Sequence, residues 1–529
     1  MKPIKIELLI ILLTMISGLT ACTKSFLDVI PNDQLSSATF WNTKADANMA
    51  LAGCYRGWEN GMNIVMGDAM TDNDYSHMTV TGYQQVGNGS VSPQNVLVGS
   101  GARAFSYVQI RKYNNFLENI EPMTELTDNE KKLMMAEVRF LRAYDYFLKV
   151  MFFGDMPMIT TTIPPGELPS RTSAAVLHSF ILTELEEISQ VLPVQNVLES
   201  KGHITKGAAL ALKARLELYL GKFPEAMLSS KAVIDMGVYE LFPNYEELFY
   251  RQNNASNKES IAEVQHIFND YSTTIPWQRL PSWKGGYAES GVSRTLVDAY
   301  ETANGLPIDE DPAYNPNNPF SNRDPRLKMT VALPGSNWFG RIYSALDPQI
   351  NGASNPDYYL NDGSKAAQMG KKYLDAEIQN AERQNFDANI MVIRLAEMYL
   401  TYAEAAVETG QDLDGALDYI NLLRARAGHV PATTLTKELV RRERRVELAL
   451  EGLRYYDIKR WNLGPQVMNG PYYGSRLGSV NMTTGEVTWG TGYILVENRT
   501  FYPERNYLLP IPQSELDVNP NMTQNPGYN

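Results

Sequence analysis

Two stretches of the chain share a helix–glycine–helix pattern, and this pattern limits the fold more than any other feature of the sequence. The first, 205–237, is rich in Ala and Leu up to Gly221 and resumes with a second apolar run after Pro224. The second, 391–428, repeats the plan with Gly410 between its two runs. A helix pair of this kind cannot bury its apolar face alone and needs stacked neighbours. The sequence therefore predicts a stack of helix pairs.

Other segments predict the neighbours that such a stack needs. Between Asp128 and Phe153, apolar residues recur every three or four positions, as on one face of a helix. Asp128 is the predicted N-cap and Gly154 the predicted stop. Helices are also predicted near 105–120 and 174–191. Because the glycine-linked pairs resemble tetratricopeptide repeats, the expected fold class is mainly α, a tetratricopeptide-like helical-repeat scaffold (an α–α superhelix).

A loop-rich region and a few short strands interrupt the helices. The stretch 304–363 is dense in Pro, Asn, Asp and Gly, which predicts long ordered loops. Residues 470–500 alternate as short strands do, with a hairpin turn at Thr484 and Gly485. Long loops in a compact protein usually serve a function. We therefore expect a binding surface there.

The N-terminus predicts export. A short basic start precedes an apolar run of about twelve residues, whereas a bilayer-spanning helix needs about twenty. Residues 1–21 are therefore predicted to be a signal peptide. The run ends in Leu19-Thr20-Ala21-Cys22, which resembles a bacterial lipobox and implies a lipid on Cys22. The alternative is an ordinary secreted protein with a chance cysteine. With Cys22 acylated, Cys54 is predicted to be a buried free thiol.

Charge and motifs restrict the function classes. A net charge of −13 argues against nucleic acid as a partner. The sequence contains no His-Glu-x-x-His, Cys-x-x-Cys, Gly-x-Ser-x-Gly or phosphate-loop motif. Its histidines lack ligand spacing: His77, His178, His203, His266 and His429. We predict no catalytic residue, no metal and no cofactor. A pair of catalytic carboxylates, as in a glycosidase, stays open as an alternative.

Two charged runs are predicted to be structural. The arginine-rich run 441–445 suggests nucleic-acid or acidic-glycan binding, but glutamates interleave with it at three- and four-residue spacings: Glu438, Glu443, Glu447 and Glu451. Such spacing predicts ion pairs on a helix surface, each worth a few tenths of a kcal/mol. The acidic group 309–311, with Asn315 and Asn317, could hold a hard cation. It lacks the glycine and terminal glutamate of an EF-hand loop, so a solvated loop is predicted instead.

Aromatic residues in loop-like segments are the candidates for ligand binding. Burying about 50 Å² of an apolar ligand face against an aromatic ring contributes roughly 1 kcal/mol. Asn, Asp and Arg side chains bind polar groups at the edge of such a ligand. Trp283 is the first choice, because adjacent glycines let a ligand approach the backbone. The candidates are Asp72, Asn73, Tyr75 and Tyr83 in an early polar loop, then Trp277, Trp283, Tyr287, Trp338 and Arg341.

Motifs along nearly the whole chain resemble the SusD/RagB family of Bacteroidetes outer-membrane lipoproteins. In chain order they are Ser25-Phe26-Leu27-Asp28, Phe40-Trp41, Ala136-Glu137-Val138-Arg139-Phe140-Leu141-Arg142-Ala143-Tyr144, Phe153-Gly154-Asp155-Met156-Pro157, Arg323-Asp324-Pro325-Arg326-Leu327, Arg394-Leu395-Ala396-Glu397, Glu443-Arg444-Arg445-Val446-Glu447-Leu448, Asp457-Ile458-Lys459-Arg460-Trp461, Leu509-Pro510-Ile511-Pro512 and Asn525-Pro526-Gly527-Tyr528. Each motif is weak alone, and their order makes the resemblance specific.

The resemblance implies non-enzymatic capture of glycans (oligo- or polysaccharides) at the outer membrane, by a lipid-anchored protein that faces the exterior. It also implies delivery to a partner, a SusC-like TonB-dependent barrel. The expected organisation is a signal peptide over 1–21, an N-terminal SusD-like helical region over 22–240, and a C-terminal region with the ligand-binding loops over 241–529. Two alternatives stay open: an oligopeptide-capturing lipoprotein of the same architecture, and a purely structural helical-repeat scaffold.

Overall fold

The computed structural model describes residues 40–96, 104–196 and 202–528. The predicted signal peptide and Cys22 lie outside the described residues. The helices are α1 Lys44–Tyr55, α2 Gly61–Val65, α3 Tyr83–Asn88, α4 Val108–Ile120, α5 Asp128–Phe153, α6 Ala174–Ser189, α7 Lys206–Tyr219, α8 Phe223–Ile234, α9 Ile275–Arg279, α10 Arg294–Ala299, α11 Arg326–Thr330, α12 Leu395–Thr409, α13 Leu413–Arg426, α14 Lys437–Glu447, α15 Arg454–Arg460, α16 Gly464–Val467 and α17 Gln513–Val518.

The strands form two-stranded antiparallel sheets. They are β1 Ser260–Val264, β2 Val331–Ala332, β3 Asn337–Trp338, β4 Arg341–Ile342, β5 Gln349–Ile350, β6 Ala353–Ser354, β7 Met369–Gly370, β8 Ile390–Arg394, β9 Gly470–Val480 and β10 Val487–Arg499. β1 pairs with β8, β2 with β7, β3 with β4, β5 with β6 and β9 with β10.

The stack of helix pairs predicted from the sequence is confirmed. Gly221 (φ +69°) and Gly410 (φ +68°) adopt the left-handed backbone that ends the first helix of each pair. Helix α8 packs against its own partner α7 and also against α12, so the two pairs contact each other directly. The predicted neighbours form as α4, α5 and α6, and each packs against the next. The result is a mainly α, tetratricopeptide-like scaffold.

The long helix α5 has the predicted bounds but a different cap. The side chain of Thr127, not Asp128, accepts a hydrogen bond from the Glu130 amide, and the Glu130 carboxylate accepts one from the Thr127 amide. This capping box supplies partners for amides that the helix leaves unpaired. At the other end Gly154 has φ +72°, as the stop predicted there requires.

The hairpin predicted within 470–500 is present, but its strands are long. β9 has 11 residues and β10 has 13, with register shifts along the pair. The predicted turn is correct, with Gly485 at φ +79°. Bulges such as these bend and twist a ribbon, which lets the hairpin lie over the loop-rich region.

The main hydrophobic core lies among the helices and includes residues on both sides of position 240. The predicted division there stays a prediction. Cys54 is a buried free thiol, as predicted, and burial raises its pKa to about 12. Smaller cores lie under the loops around Trp338 and Tyr373, and between α10 and α14. Within the described ranges no helix is both long and apolar enough to span a bilayer.

The arginine-rich run is a scaffold network, but it is not on a helix surface. Glu443, Arg444 and Glu447 of α14 are each at most 2% exposed. Their partners come from distant elements: Glu443 pairs with Arg424 at 3.1 Å, and Arg444 with Asp457 at 2.9 Å. The prediction of surface pairs along one helix is therefore wrong, because α14 is enclosed on the side that carries these charges.

Candidate ligand-binding site

A short irregular segment between α9 and Gly286 presents Trp283. Ser282–Lys284 form one 3-10 turn that ends at Gly285, which has φ +78°. The Asp357 carboxylate accepts a hydrogen bond from the Ser282 amide at 2.6 Å and another from the Trp283 amide. Burial raises the pKa of Asp357 to about 6 despite these bonds. A carboxylate on an adjacent loop therefore fixes the backbone beneath the indole.

A tight hairpin brings two further side chains to Trp283. β3 and β4 are joined by Phe339 (φ +53°) and Gly340 (φ +74°), and two positive φ angles are what a two-residue hairpin turn requires. The Phe339 ring lies 6.3 Å from the Trp283 ring in an edge-to-face arrangement. The Arg341 guanidinium carbon lies 5.2 Å from the Trp283 ring centroid. The Lys284 ammonium lies 4.9 Å from the Phe339 ring centroid.

The other two predicted aromatics of this segment form a second pair. The rings of Trp277 and Tyr287 lie 5.2 Å apart, and Tyr287 is 44% exposed. The Tyr287 amide donates to the Trp277 carbonyl at 3.0 Å. Arg383 connects this pair to the Trp283 turn, because its carbonyl accepts from the Trp277 amide and its guanidinium donates to the Gly285 carbonyl.

We call Trp277, Trp283, Tyr287, Phe339 and Arg341 the aromatic cluster. It combines partly exposed rings with the Arg341 guanidinium, a hydrogen-bond donor, and the Lys284 ammonium lies next to it. Such a set binds a flat apolar face that carries hydroxyls at its edge, as a pyranose does. Sequence reasoning found four of the five. Phe339 was missed, although the glycine after it indicated the turn that positions its ring, and so were Lys284 and Asp357.

Trp338 lies beneath this cluster, not in it. It is 5% exposed, stacks on Phe339 at 4.8 Å and meets Tyr343 edge-to-face at 5.8 Å. The prediction that Trp338 is an exposed ligand platform is therefore corrected. Its indole belongs to the small core under the loops and supports the Phe339 ring.

The early polar segment is also corrected, because it is internal. Asp72 and Asn73 are 4% and 1% exposed, and Tyr75 and Tyr83 are buried as well. The amides of Gly291 and Ser293 donate to the carbonyls of Tyr75 and Asn73, so a second segment covers this one. Polar composition predicted a surface loop, but the polar groups have internal partners.

Each of the four side chains is engaged within the protein. Asp72 pairs with Arg445 at 2.9 Å and Arg454 at 2.8 Å. Burial raises the pKa of Asp72, but these two guanidinium groups bring it down to about 2. Asn73 donates to Asp68 at 2.9 Å. The Tyr75 hydroxyl accepts from Gln84, and the Tyr83 hydroxyl donates to Asn63.

One residue of the acidic group 309–311 has an internal role, whereas Asp309 and Glu310 are exposed, as a solvated loop predicts. Asp311 accepts hydrogen bonds from the Thr302 hydroxyl at 2.5 Å, the Asn304 amide at 3.0 Å and the Ala313 backbone at 2.8 Å. Its oxygens thus fasten a loop. Among the described residues, no group of three or more His, Cys, Asp or Glu side chains is arranged to hold a metal ion.

Two family models match the chain. Residues 246–528 match the model described as the SusD family, and residues 25–220 match one described as starch-binding associating with outer membrane. SusD-like protein P2 of Formosa agariphila is 26% identical over the full length of both chains. The starch-binding protein SusD of Bacteroides thetaiotaomicron is 28% identical, over 79% of this chain and 76% of that protein.

Solved structures agree with these matches. A SusD-like carbohydrate-binding protein from Bacteroides fragilis superimposes with a TM-score of 0.81 at 29% identity, covering 92% of this chain and all of the other. A laminarin-binding SusD-like protein superimposes with a TM-score of 0.70 at 23% identity, covering 92% of this chain and all of the other. The family model covers more than half of the sequence and the fold agrees over nearly all of it, so this chain belongs to the SusD family.

Proposed function

We propose that this protein captures glycans without cleaving them and delivers them to a TonB-dependent outer-membrane transporter. The observation that carries the proposal is the aromatic cluster, in which Trp283, Phe339 and Arg341 are brought together by two independent turns. The names of relatives support the ligand class, since they include a starch-binding, a laminarin-binding and a carbohydrate-binding protein.

The cluster suits weak and reversible binding. Each ring that covers a pyranose face contributes about 1 kcal/mol from buried apolar area. Two or three rings with a few hydrogen bonds from Arg341 and Lys284 give roughly 4–7 kcal/mol, which corresponds to dissociation constants from about millimolar to about 10 µM. A protein that passes its ligand to a transporter needs release as much as capture.

The role of Asp357, the carboxylate beside the aromatic cluster, favours binding over hydrolysis. Most glycosidases need two carboxyl groups that flank the scissile bond. Asp357 instead faces the backbone, where it accepts the Ser282 and Trp283 amides. It is a positioning group for the turn. A cofactor has no role in this scheme.

The location and the partner are part of the proposal. We place the protein at the outer membrane, lipid-anchored through Cys22 and facing the exterior, with a SusC-like barrel beside it. Support comes from the lipobox-like sequence and from the outer-membrane description of the model that matches 25–220. Affinity purification from the native membrane should recover a large β-barrel with the wild-type chain. It should not do so with Cys22→Ala, if the anchor brings the two together.

Isothermal titration against a panel of neutral polysaccharides tests the binding function. Trp283→Ala should weaken binding of the recognised glycan about tenfold or more, because it removes a ring and the support of Arg341. Tyr502→Ala is the matched control, since Tyr502 is also a largely exposed aromatic (42%) and lies outside the cluster. Equal binding by both variants would contradict the proposed site. Binding of a peptide pool with no glycan binding would favour the oligopeptide alternative, and no binding of either would favour a scaffold.

A further inference from the structure

A cavity lies under the long β9–β10 hairpin, and none of the residues that line it belongs to the aromatic cluster. Its volume is about 190 Å³. We call it the hairpin pocket; it is lined by α10, by the loop that follows α10 and by both hairpin strands. It adjoins a wider groove of about 970 Å³, and the two share Pro319, Phe320 and Trp489. Ligand sites for drug-sized molecules usually exceed about 300 Å³, so the hairpin pocket suits a single ring reached from the groove.

The walls of the hairpin pocket are aromatic. Trp489 and Phe320 meet edge-to-face, with ring centroids 5.5 Å apart. The Arg294 guanidinium carbon lies 3.9 Å from the Tyr493 ring centroid, which is the distance of direct stacking. Tyr314 contributes a further ring on the opposite loop. A ligand that enters meets flat apolar surfaces on more than one side.

The hairpin pocket carries a positive formal charge, although the chain as a whole is negatively charged. Three arginines line it, Arg294, Arg323 and Arg476, against one carboxylate, Asp298. Three positive charges minus one negative charge leave a formal +2, in a protein whose net charge is −13. Asp298 is 3.0 Å from Arg294 and compensates that cation.

The other two guanidinium groups are bound to neutral oxygens. Arg323 donates to the carbonyls of Val297 and Tyr300 at 2.7 and 2.6 Å. Arg476 donates to the carbonyls of Pro316 and Gly490 at 2.7 and 2.9 Å. Carbonyls fix the orientation of a guanidinium but leave its positive charge in place. In a partly enclosed site such a charge acts over a short distance with little screening.

A buried hydroxyl completes the lining. Ser475 is 4% exposed, and its Oγ makes no hydrogen bond within the described part of the chain. Buried polar atoms normally have a partner, and an exception calls for an explanation. A hydroxylated ligand in the hairpin pocket would supply one.

We propose that the hairpin pocket binds one acidic sugar residue, a uronic acid or a sulfated sugar, at an end or branch of the captured glycan. This inference rests on the proposed function and narrows its ligand class. The aromatic walls contact the faces of the sugar ring, and the uncompensated positive charge of Arg323 and Arg476 attracts its carboxylate or sulfate. Neutral sugars use the same walls but gain nothing from the charge.

Saturation-transfer NMR and calorimetry with small probes test this assignment. The probes are glucuronic acid, glucose 6-sulfate and glucose, which separate a carboxylate, a sulfate and a neutral ring of the same shape. We expect one or both acidic probes to bind at least tenfold more tightly than glucose, since a charge-assisted hydrogen bond is worth more than about 1.4 kcal/mol. That preference should shrink as salt is added.

Two variants locate the binding. Arg476→Gln, which removes a half-buried guanidinium that donates to carbonyls and leaves the Arg294–Asp298 pair in place, should remove most of the preference for acidic probes. Arg111→Gln is the matched control, because it makes the same charge change on α4, which lines a different cavity. Equal probe affinities in the wild type, or a preference that Arg476→Gln leaves intact, would overturn the assignment.

The two proposals fail in different ways. Trp283→Ala should leave binding of the acidic monosaccharides unchanged while it weakens binding of the polymer. Binding of a neutral polymer without any preference for acidic probes would overturn the hairpin pocket alone. Binding of acidic probes that depends on Arg476, with no polymer bound at Trp283, would overturn the aromatic cluster alone.

Discussion

Two buried charged regions lie close together in this protein and differ in how their charges are balanced. In the α14 network, Glu447 accepts from Arg326 at 3.0 Å, Arg394 at 2.8 Å and Arg426 at 2.5 Å. In the acidic cluster of Asp68, Asp74 and Glu289, the cation in contact is Arg279, 3.7 Å from Asp74. The network has a cation for each carboxylate, whereas the acidic cluster has more carboxylates than cations.

The pKa values follow this difference. Burial raises the pKa of Glu447, but three arginines lower it well below its ordinary value. Burial raises the pKa of Asp68 to about 6 and that of Glu289 to about 7, and their few partners do not reverse the effect. Burial raises the pKa of carboxylates in both regions, so the number of neighbouring cations decides whether the net pKa shift is upward or downward. The lesson is that burial alone does not tell whether a carboxylate is ionised.

Breaking the network should have the largest effect. Arg394→Met removes a guanidinium that pairs with Glu259, Glu447 and Glu451, which leaves these buried carboxylates with fewer cations. Removal of one member of a buried ion pair costs about 3–5 kcal/mol. We expect the urea midpoint to fall accordingly. Lys258→Met is the control, since its pair with Glu240 is largely exposed and should contribute little. A similar midpoint for both variants would mean that the network is not a structural unit.

Neutralising one carboxylate of the acidic cluster should stabilise the protein, whereas breaking the network should destabilise it. The folded state holds the Glu289 proton up to a pKa of about 7, whereas the unfolded chain releases it near 4.5. The wild type therefore loses stability as pH rises from about 4.5 through 7. Glu289→Gln should remove that loss and stabilise the protein by roughly 2–3 kcal/mol at pH 8, with almost no effect at pH 4.5. Unfolding midpoints of the two proteins across this range give the difference curve, and a flat difference would refute the account.

Asp72 and Asp74 are two residues apart, yet their pKa values shift in opposite directions. Asp72 belongs with the cations of α14 and α15 and has a folded pKa of about 2, below its unfolded value. Asp72→Asn should cost about 2 kcal/mol at neutral pH, and this cost should vanish as pH falls from about 4 to 2. Asp74→Asn should lower the free energy of unfolding less than Asp72→Asn does at neutral pH, because the pKa of Asp74 is raised. Urea unfolding of the two variants under the same conditions measures this difference.

The same comparison explains what the sequence predicted and what it did not. Helix pairs, the bounds of α5 and the glycine turns depend on neighbours within a few residues, so local spacing indicated them. The burial of Asp72 depends on Arg445 and Arg454, more than 370 residues away, which no local pattern contains. For this reason the polar composition of 72–75 predicted a solvated loop instead of a buried segment. Trp283 was predicted as a loop aromatic beside glycines and Arg341 as a loop cation that can bind hydroxyls, but the Phe339 ring needed the hairpin geometry.

Titration of Asp357, beside the ligand site, should change glycan affinity by less than the stability changes predicted above. Like the acidic cluster, it is a carboxylate whose pKa burial raises, to about 6. Below that pH it gains a proton and holds the Ser282 and Trp283 amides less firmly, so glycan affinity should fall about threefold between pH 7.5 and pH 5, under 1 kcal/mol. Asp357→Asn keeps the shape of the side chain but cannot titrate. Titration of the recognised glycan at both pH values should therefore show a pH dependence in the wild type that this variant lacks. An equal dependence in both would place the titrating group elsewhere and leave Asp357 as a purely geometric support for the Trp283 turn.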